Sequence, residues 1–318
     1  MSPIAPTSLD QWIERDVSSV WHGFTQMAAY GDNRPVIVDR AEGRELIDVE
    51  GNRYLDAISS LWVTTLGHRV PELDQALRDQ IDRVAHSTLL GNGNRVVIEL
   101  AEALAPRVPV DRPRFLFASD GAAAVEQAIK IAFQFWTNQG VASRDRYLAF
   151  GGAYHGDTVG SLSIGDGGFG TDVFDPLRFN VVRAPTLGAP GAVEAAVALI
   201  REHADRLAAV VLEPLVQGAA GMALMPADAV AAVGRAAAEH DVLVIHDEVA
   251  TGFGRTGTLF ATEQCDTRPD LLVLGKGITG GYLPLSATVA SERVWEAFLG
   301  PDLSERTFYH GHSYSGNA

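Results

Sequence analysis

Cysteine is almost missing from this chain of 318 residues: Cys265 is the only one. No intrachain disulfide can form, no thiolate zinc site can be assembled, and no metal site is expected. A single thiol fits a reducing, cytoplasmic setting. Long apolar runs are missing too. No stretch reaches the roughly 18 residues of a membrane span, and Met1 to Asp10 carries no basic region of the kind that opens a secretory signal. Positive charge is scarce, with 25 basic residues against 40 acidic and a formal net charge of -15. A nucleic-acid partner needs a basic face, so that class is excluded, and no block of five like charges reads as an interaction tail. What is plentiful is apolar side chain, 47% of the chain, enough for one large core or two domains.

After an amphipathic start around Trp12 to Val20, residues 35–58 read as a small β-meander. Its segments Val36-Ile37-Val38, Glu45-Leu46-Ile47-Asp48-Val49 and Tyr54-Leu55-Asp56-Ala57 are separated by turn-rich Glu42-Gly43 and Gly51-Asn52. From Val70 onward helical patterns such as residues 96–104 alternate with short apolar runs. These runs are Arg114-Phe115-Leu116-Phe117, Tyr147-Leu148-Ala149-Phe150 and residues 208–212, 242–245 and 271–274. That alternation predicts an α/β protein whose mostly parallel central sheet is covered by helices on both faces. The division expected is an N-terminal segment over residues 1–60 and a large domain over 61–318. Ligands of such sheets sit beyond the carboxyl ends of the strands, so the residues just after each run are the ones to inspect.

Phe115-Leu116-Phe117 leads into Ala118-Ser119-Asp120-Gly121-Ala122-Ala123-Ala124 and then a helix with Val125, Ile129, Phe133 and Trp136 along one side. Small residues at a helix start leave backbone N–H groups open to a phosphate, aided by the helix dipole; an ordinary strand–helix turn is the plainer alternative. Phe150 is followed by Gly151-Gly152-Ala153-Tyr154-His155-Gly156-Asp157, where Tyr154 either stacks on a flat cofactor or packs on its own domain. The run 242–245 ends in His246-Asp247-Glu248. A carboxylate there can pair with a protonated ring nitrogen, although a lone Asp at a strand end is often just a cap; His246 reads as a packing or hydrogen-bonding residue. Last comes Gly275-Lys276-Gly277 after residues 271–274. A lysine between glycines at the mouth of a buried strand suits an amine that condenses with an aldehyde and then shuttles a proton. Gly252-Phe253-Gly254-Arg255-Thr256-Gly257 matches the dinucleotide pattern, yet no good helix start follows it, and the Rossmann reading fails on that context.

Together these pieces resemble the class III (ω-amino acid) aminotransferases, fold-type I pyridoxal-phosphate enzymes. The likeness runs from Trp21-His22-Gly23-Phe24-Thr25-Gln26-Met27 to Gly316-Asn317, and its most specific part is residues 247–257 followed by Gly275-Lys276. Ser59-Ser60-Leu61-Trp62, Gly67-His68, residues 85–88, 133–136 and 213–219, and Phe308-Tyr309-His310-Gly311-His312-Ser313-Tyr314 point to the branch that aminates 8-amino-7-oxononanoate in biotin synthesis. The resemblance implies a pyridoxal 5'-phosphate cofactor with Lys276 bonded to its aldehyde, Asp247 on the pyridine nitrogen and Tyr154 stacked beside the ring. It implies Gly121 and Ala122 on the phosphate, and His312 and Ser313 reaching the phosphate of a neighbouring subunit, hence a homodimer with shared sites. Phe24, Leu61, Trp62, Tyr154, Asp157, Lys276 and Gly311 are the implied substrate contacts. Phe24 and Leu61 stand where adenosylmethionine-using members carry tyrosine and tryptophan. Ala122, His312 and Ser313 also depart from that pattern. With the 277–284 segment, these departures resemble the branch whose amino donor is lysine. The family's C-terminal domain, with its carboxylate-binding arginine, is expected beyond Ala318. The alternatives are an aminotransferase of the same class for diamines, ornithine or 4-aminobutyrate with pyruvate or 2-oxoglutarate, and a non-catalytic fragment.

Overall fold

The computed structural model describes residues 8–168 and 170–318; most of the stretch inspected for a secretory leader, Met1 to Thr7, lies outside the described residues. The chain packs as two compact units, Met1–Ile81 and Asp82–Ala318.

In the first unit, α1 (Leu9–Ser19) is opened by the Ser8 hydroxyl, which accepts from the Gln11 N–H. The short α2 (Met27–Tyr30) follows, then an antiparallel meander of β1 (Val38–Glu42), β2 (Glu45–Asp48) and β3 (Arg53–Leu55). The first strand begins where the apolar cluster 36–38 ends. Its pairing partner is β2 and its outer face is exposed, so polar Asp39 and Arg40 continue the strand and Val36 lies before it. Next comes a single left-handed turn, α3 (Ser59–Trp62), with φ of 51°, 46°, 71° and 69°. Left-handed backbone costs roughly 1–2 kcal/mol per non-glycine residue, and Asp56 offsets it. Its buried carboxylate accepts from the Ser60 N–H at 2.7 Å and the Ser60 hydroxyl at 2.8 Å, and it pairs with His68 at 2.9 Å. The unit closes with α4 (Pro71–Ile81).

The second unit is the α/β layer structure. In chain order it runs α5 (Arg95–Leu104), β4 (Arg114–Ala118), α6 (Gly121–Asn138), β5 (Arg146–Phe150), α7 (Val159–Ile164), β6 (Val182–Ala184), α8 (Ala192–His203) and β7 (Leu207–Leu212). It continues with a small hairpin of β8 (Val216–Gln217) and β9 (Ala223–Leu224), then α9 (Ala227–Glu239), β10 (Leu243–Asp247), β11 (Leu271–Leu274), β12 (Ser286–Ala290) and α10 (Glu292–Glu296). The sheet order is β4-β12-β11-β10-β7-β5-β6. Only β12 runs against its neighbours.

Alternation along the strands divides the core. Val211, Ile245 and Val273 face α6, where Ala124, Ala128 and Ala132 let the helix lie close to the sheet. Val210, Leu212 and Val244 face α8 and α9. All six residues of β7 are buried, as expected of a parallel strand covered on both sides. Phe133 of α6 does not join the buried stripe that its spacing suggested. It is 48% exposed, and Phe135 takes the inward position against Trp136.

Candidate active site

Because β4, β5, β7, β10 and β11 are parallel, their carboxyl ends share one edge of the sheet. The chemistry-bearing residues follow those ends directly. Asp247 is in register with Val273 of β11. Lys276, three residues beyond Val273, therefore leaves the same edge from the neighbouring strand.

Lys276 sits in the left-handed region with φ 43°, a strained conformation of the kind that collects at functional sites. Packing explains its neighbours. A Cβ on Gly275 would stand 3.2 Å from a Val249 methyl, and one on Gly277 would stand 2.8 Å from Cβ of Phe253. Burial lowers the Lys276 pKa, the charges of Asp247 and Glu213 oppose that shift, and Arg255 adds to it. The net shift makes the neutral amine, the nucleophilic form, easier to reach.

Asp247 Oδ2 lies 2.7 Å from His155 Nδ1, and both side chains are buried. Its other oxygen accepts from the Val249 N–H at 3.0 Å, so the carboxylate also closes the turn after β10. Burial works against a charge on His155, but the hydrogen bond and charge of Asp247, with that of Glu213, outweigh it and raise the ring's pKa. His155 Nε2 has no hydrogen-bond partner among the described residues.

The segment after β5 carries Tyr154. Its hydroxyl donates to Asp157 Oδ2 at 3.0 Å, and its backbone N–H donates to Glu213 Oε1 at 3.1 Å. Burial first, then the hydrogen bond and charge of Asp157, raise the phenol's pKa, so Tyr154 is a neutral aromatic face. Gly156, at φ 119°, passes so close to α6 that a Cβ would fall 2.4 Å from the Ala122 Cβ; only glycine fits this approach. Glu126 of α6 tightens the same contact by accepting from the Thr158 hydroxyl and the Gly160 N–H.

At the start of α6, Asp120 caps the helix by accepting from the Ala123 N–H at 2.9 Å. The two amides before it, of Gly121 and Ala122, belong to the helix positions that have no intrahelical acceptor. Gly121 is also pressed on Val249, 2.8 Å from where its Cβ would be.

The fold thus brings Gly121, Ala122, Tyr154, Asp157, Asp247 and Lys276 to one edge of one unit. Gly311, His312 and Ser313 are placed elsewhere in that unit. The turn that holds them closes through the Ser315 N–H to His312 carbonyl bond and is tied to the 87–94 segment by Asn317 and Asn94. Phe24, Leu61 and Trp62 belong to the first unit, Leu61 and Trp62 on its left-handed turn. The glycines of residues 252–257 open no helix. Their loop follows the buried carboxylate of Glu248, which accepts from Thr251 before the loop and from the Ala261 and Thr262 amides after it. His246 bonds Thr262 at 2.8 Å, and burial drives its pKa down to about 3, which makes it a neutral structural group.

Comparison with known proteins settles the family. The class III aminotransferase model matches residues 26–318. A relative from Nitratidesulfovibrio vulgaris, named adenosylmethionine-8-amino-7-oxononanoate aminotransferase, is 47% identical over 95% of this chain and 59% of its own length. The crystal structure of the enzyme of that name from Methanocaldococcus jannaschii superposes with a TM-score of 0.93 at 39% identity, covering 98% of this chain and 72% of that one. A pyridoxal-phosphate-bound aminotransferase mutant from Vibrio fluvialis aligns at 28% identity and a TM-score of 0.88, over 98% of this chain and 72% of its own. The chain belongs to the class III aminotransferases.

Class III aminotransferases depend on pyridoxal phosphate, and the edge just described suits that group. Burial lowers the pKa of the Lys276 amine, a buried carboxylate faces the same edge, a neutral aromatic residue stands beside them, and a helix start offers amides. His155 and Glu213 escaped the reading of the sequence. Both follow strand ends closely, and that position was the signal available. Among the described residues no group of three or more His, Cys, Asp or Glu is arranged to hold a metal ion, and no helix is long and apolar enough to cross a membrane.

His155 makes one property of this class III chain depend on pH. Its folded pKa exceeds the ordinary value of 6.5, so the fold holds the ring proton more tightly than the unfolded chain does. That stabilisation is complete below the ordinary value and is lost as pH rises through the raised one. Wild type should therefore exceed His155→Gln in urea resistance below the ordinary value of 6.5 and lose that margin as pH rises through the raised one. A margin independent of pH would show that His155 carries no proton in the fold.

Proposed function

We propose that this chain carries out amino transfer with pyridoxal phosphate, with 8-amino-7-oxononanoate as acceptor and 7,8-diaminononanoate as product, as part of a homodimer in the cytoplasm. The observation that carries this reading is the arrangement of Lys276, Asp247 with His155, and Tyr154 with Asp157 along one strand edge. The relatives' names support the choice of acceptor. The single buried thiol and the acidic composition accord with the setting. In the family's terms, residues 1–60 contribute to a small domain and residues 61–318 to the large one.

Bound at this edge, pyridoxal phosphate supplies an electron sink for the carbon that loses its proton. The protein's share is positional. Lys276 Nζ would be the amine that holds the cofactor's aldehyde, and as a free amine it would carry a proton to or from the substrate carbon. Asp247 Oδ1 and Oδ2, held by Val249 and His155, would present negative charge to the ring nitrogen. Tyr154 would cover a ring face, and Asp157 fixes its hydroxyl. The Gly121 and Ala122 amides and the α6 dipole suit a phosphate. His312 and Ser313 would serve the phosphate of the neighbouring subunit, and Gly311 the substrate.

Lysine is the proposed amino donor. Phe24 and Leu61 replace residues whose hydroxyl and indole face favour a sulfonium. In single-turnover measurements, the absorbance of bound pyridoxal phosphate should decay faster with lysine than with adenosylmethionine and return on addition of 8-amino-7-oxononanoate. Faster decay with adenosylmethionine would reverse the donor assignment. Recovery with pyruvate or 2-oxoglutarate, and none with the 8-amino-7-oxo acid, would move the chain to another branch of the class.

A further inference from the structure

Glu213 is the first residue after β7, the strand between β5 and β10. It is buried, and its two oxygens serve two different segments. Oε1 accepts from the Tyr154 N–H at 3.1 Å, and Oε2 accepts from the Gly218 N–H, just beyond β8, at 3.2 Å. Upstream in the same segment, Gly152 N–H is held by Asp166 and the Gly151 carbonyl by Gln217. At the Tyr154 amide the tie is Glu213. Tyr154 and His155 are consecutive, so a shift of that amide moves the phenol that meets Asp157 and the ring that meets Asp247.

We propose that Glu213 is a positioning residue: by joining the Tyr154 amide to the Gly218 turn it fixes Tyr154 and His155 together. This rests on the reading of the edge as a cofactor site. The charged groups facing Glu213 are His155 from the segment after β5, Asp247 from β10 and Lys276 from the turn after β11. Burial pushes its carboxyl up to about 7, the His155 charge pulls it down, Asp247 pushes it up again, and the two amides favour the ionised form. One carboxylate shared by two amides makes their chemical shifts report the same proton. A neutral replacement keeps the shape of the link and loses the charge that strengthens both hydrogen bonds and faces His155.

The test is nuclear magnetic resonance on the cofactor-free chain, which needs no catalysis. In wild type the Tyr154 and Gly218 amide signals should move together through one midpoint near 7. In Glu213→Gln that shared step should vanish, and the His155 ring midpoint should fall by about 1 pH unit, the lower end of what a nearby opposite charge supplies. Glu213→Asp retains the charge but is too short to span both amides. It should restore the His155 midpoint and leave one amide without its step. Separate midpoints for the two wild-type amides would overturn the proposal, as would a Glu213→Gln chain with an unchanged His155 midpoint. Failure of wild type to bind pyridoxal phosphate would instead defeat the functional reading and leave the amide titration as it stands.

Discussion

Lys276→Ala is expected to lower amino transfer by at least about 10⁴-fold, the upper range for a single positioned proton carrier, because this residue also supplies the amine that bonds the cofactor. The alternative view, a lysine that merely decorates the surface, is hard to reconcile with its setting. Its backbone is held left-handed, its flanking glycines are pressed on Val249 and Phe253, and burial lowers its pKa despite two nearby carboxylates. A solvated lysine would need none of these. Lys276→Arg separates charge from chemistry. A guanidinium stays protonated and cannot act as the amine nucleophile, so Arg should be as inactive as Ala although it keeps a cation beside Asp247. Activity of Lys276→Arg within about tenfold of wild type would show that only the charge mattered.

The second large effect belongs to Asp247→Asn. Asn keeps the shape and can still accept from the Val249 amide, but it presents no charge to a ring nitrogen or to His155. Amino transfer should fall by about 10²–10⁴-fold. The effect on stability should be smaller. A buried ion pair that loses one partner costs about 3–5 kcal/mol when the other stays charged. His155 can instead release its proton, leaving a buried polar group with an imperfect partner, at about 1–3 kcal/mol. Urea denaturation and kcat/KM measured together check both parts. Near-normal turnover with a large stability loss would make Asp247 a structural anion and no more.

The strands β4, β5, β7, β10 and β11 were legible in the sequence because each lies on a run of four to six apolar residues, and in β7 and β11 every residue is buried. Two strands were not. β12 is Ser-Ala-Thr-Val-Ala, and its buried hydroxyls are satisfied within the core: Ser286 donates to the Asp120 carbonyl and Thr288 to that of Ala124. A strand that hides its polarity in this way shows no apolar run. β6 has three residues, and one of them is Arg183, whose guanidinium reaches carbonyls at 163–165. The same limit applies to the site. Lys276, Asp247 and Tyr154 stood out because they directly follow apolar runs. The pairing of His155 with Asp247 spans 92 positions in the chain, and the bridge built by Glu213 depends on strand order. Neither is written in any local pattern. Nor does any local pattern show the left-handed turn that holds Leu61 and Trp62, which rests on the bonds of the Asp56 carboxylate to Ser60 and to His68, twelve positions further along the chain.

The chain contains two lysines, Lys130 and Lys276, and this makes the central claim easy to test. Lys130 lies mid-helix in α6 beside His310, whereas Lys276 lies on the carboxyl edge. The chain should be loaded with pyridoxal phosphate, reduced with borohydride, digested and mapped by mass spectrometry. The predicted result is one phosphopyridoxyl group on Lys276 and none on Lys130. Label on Lys130, on the N-terminal amine or on no peptide at all would contradict the account.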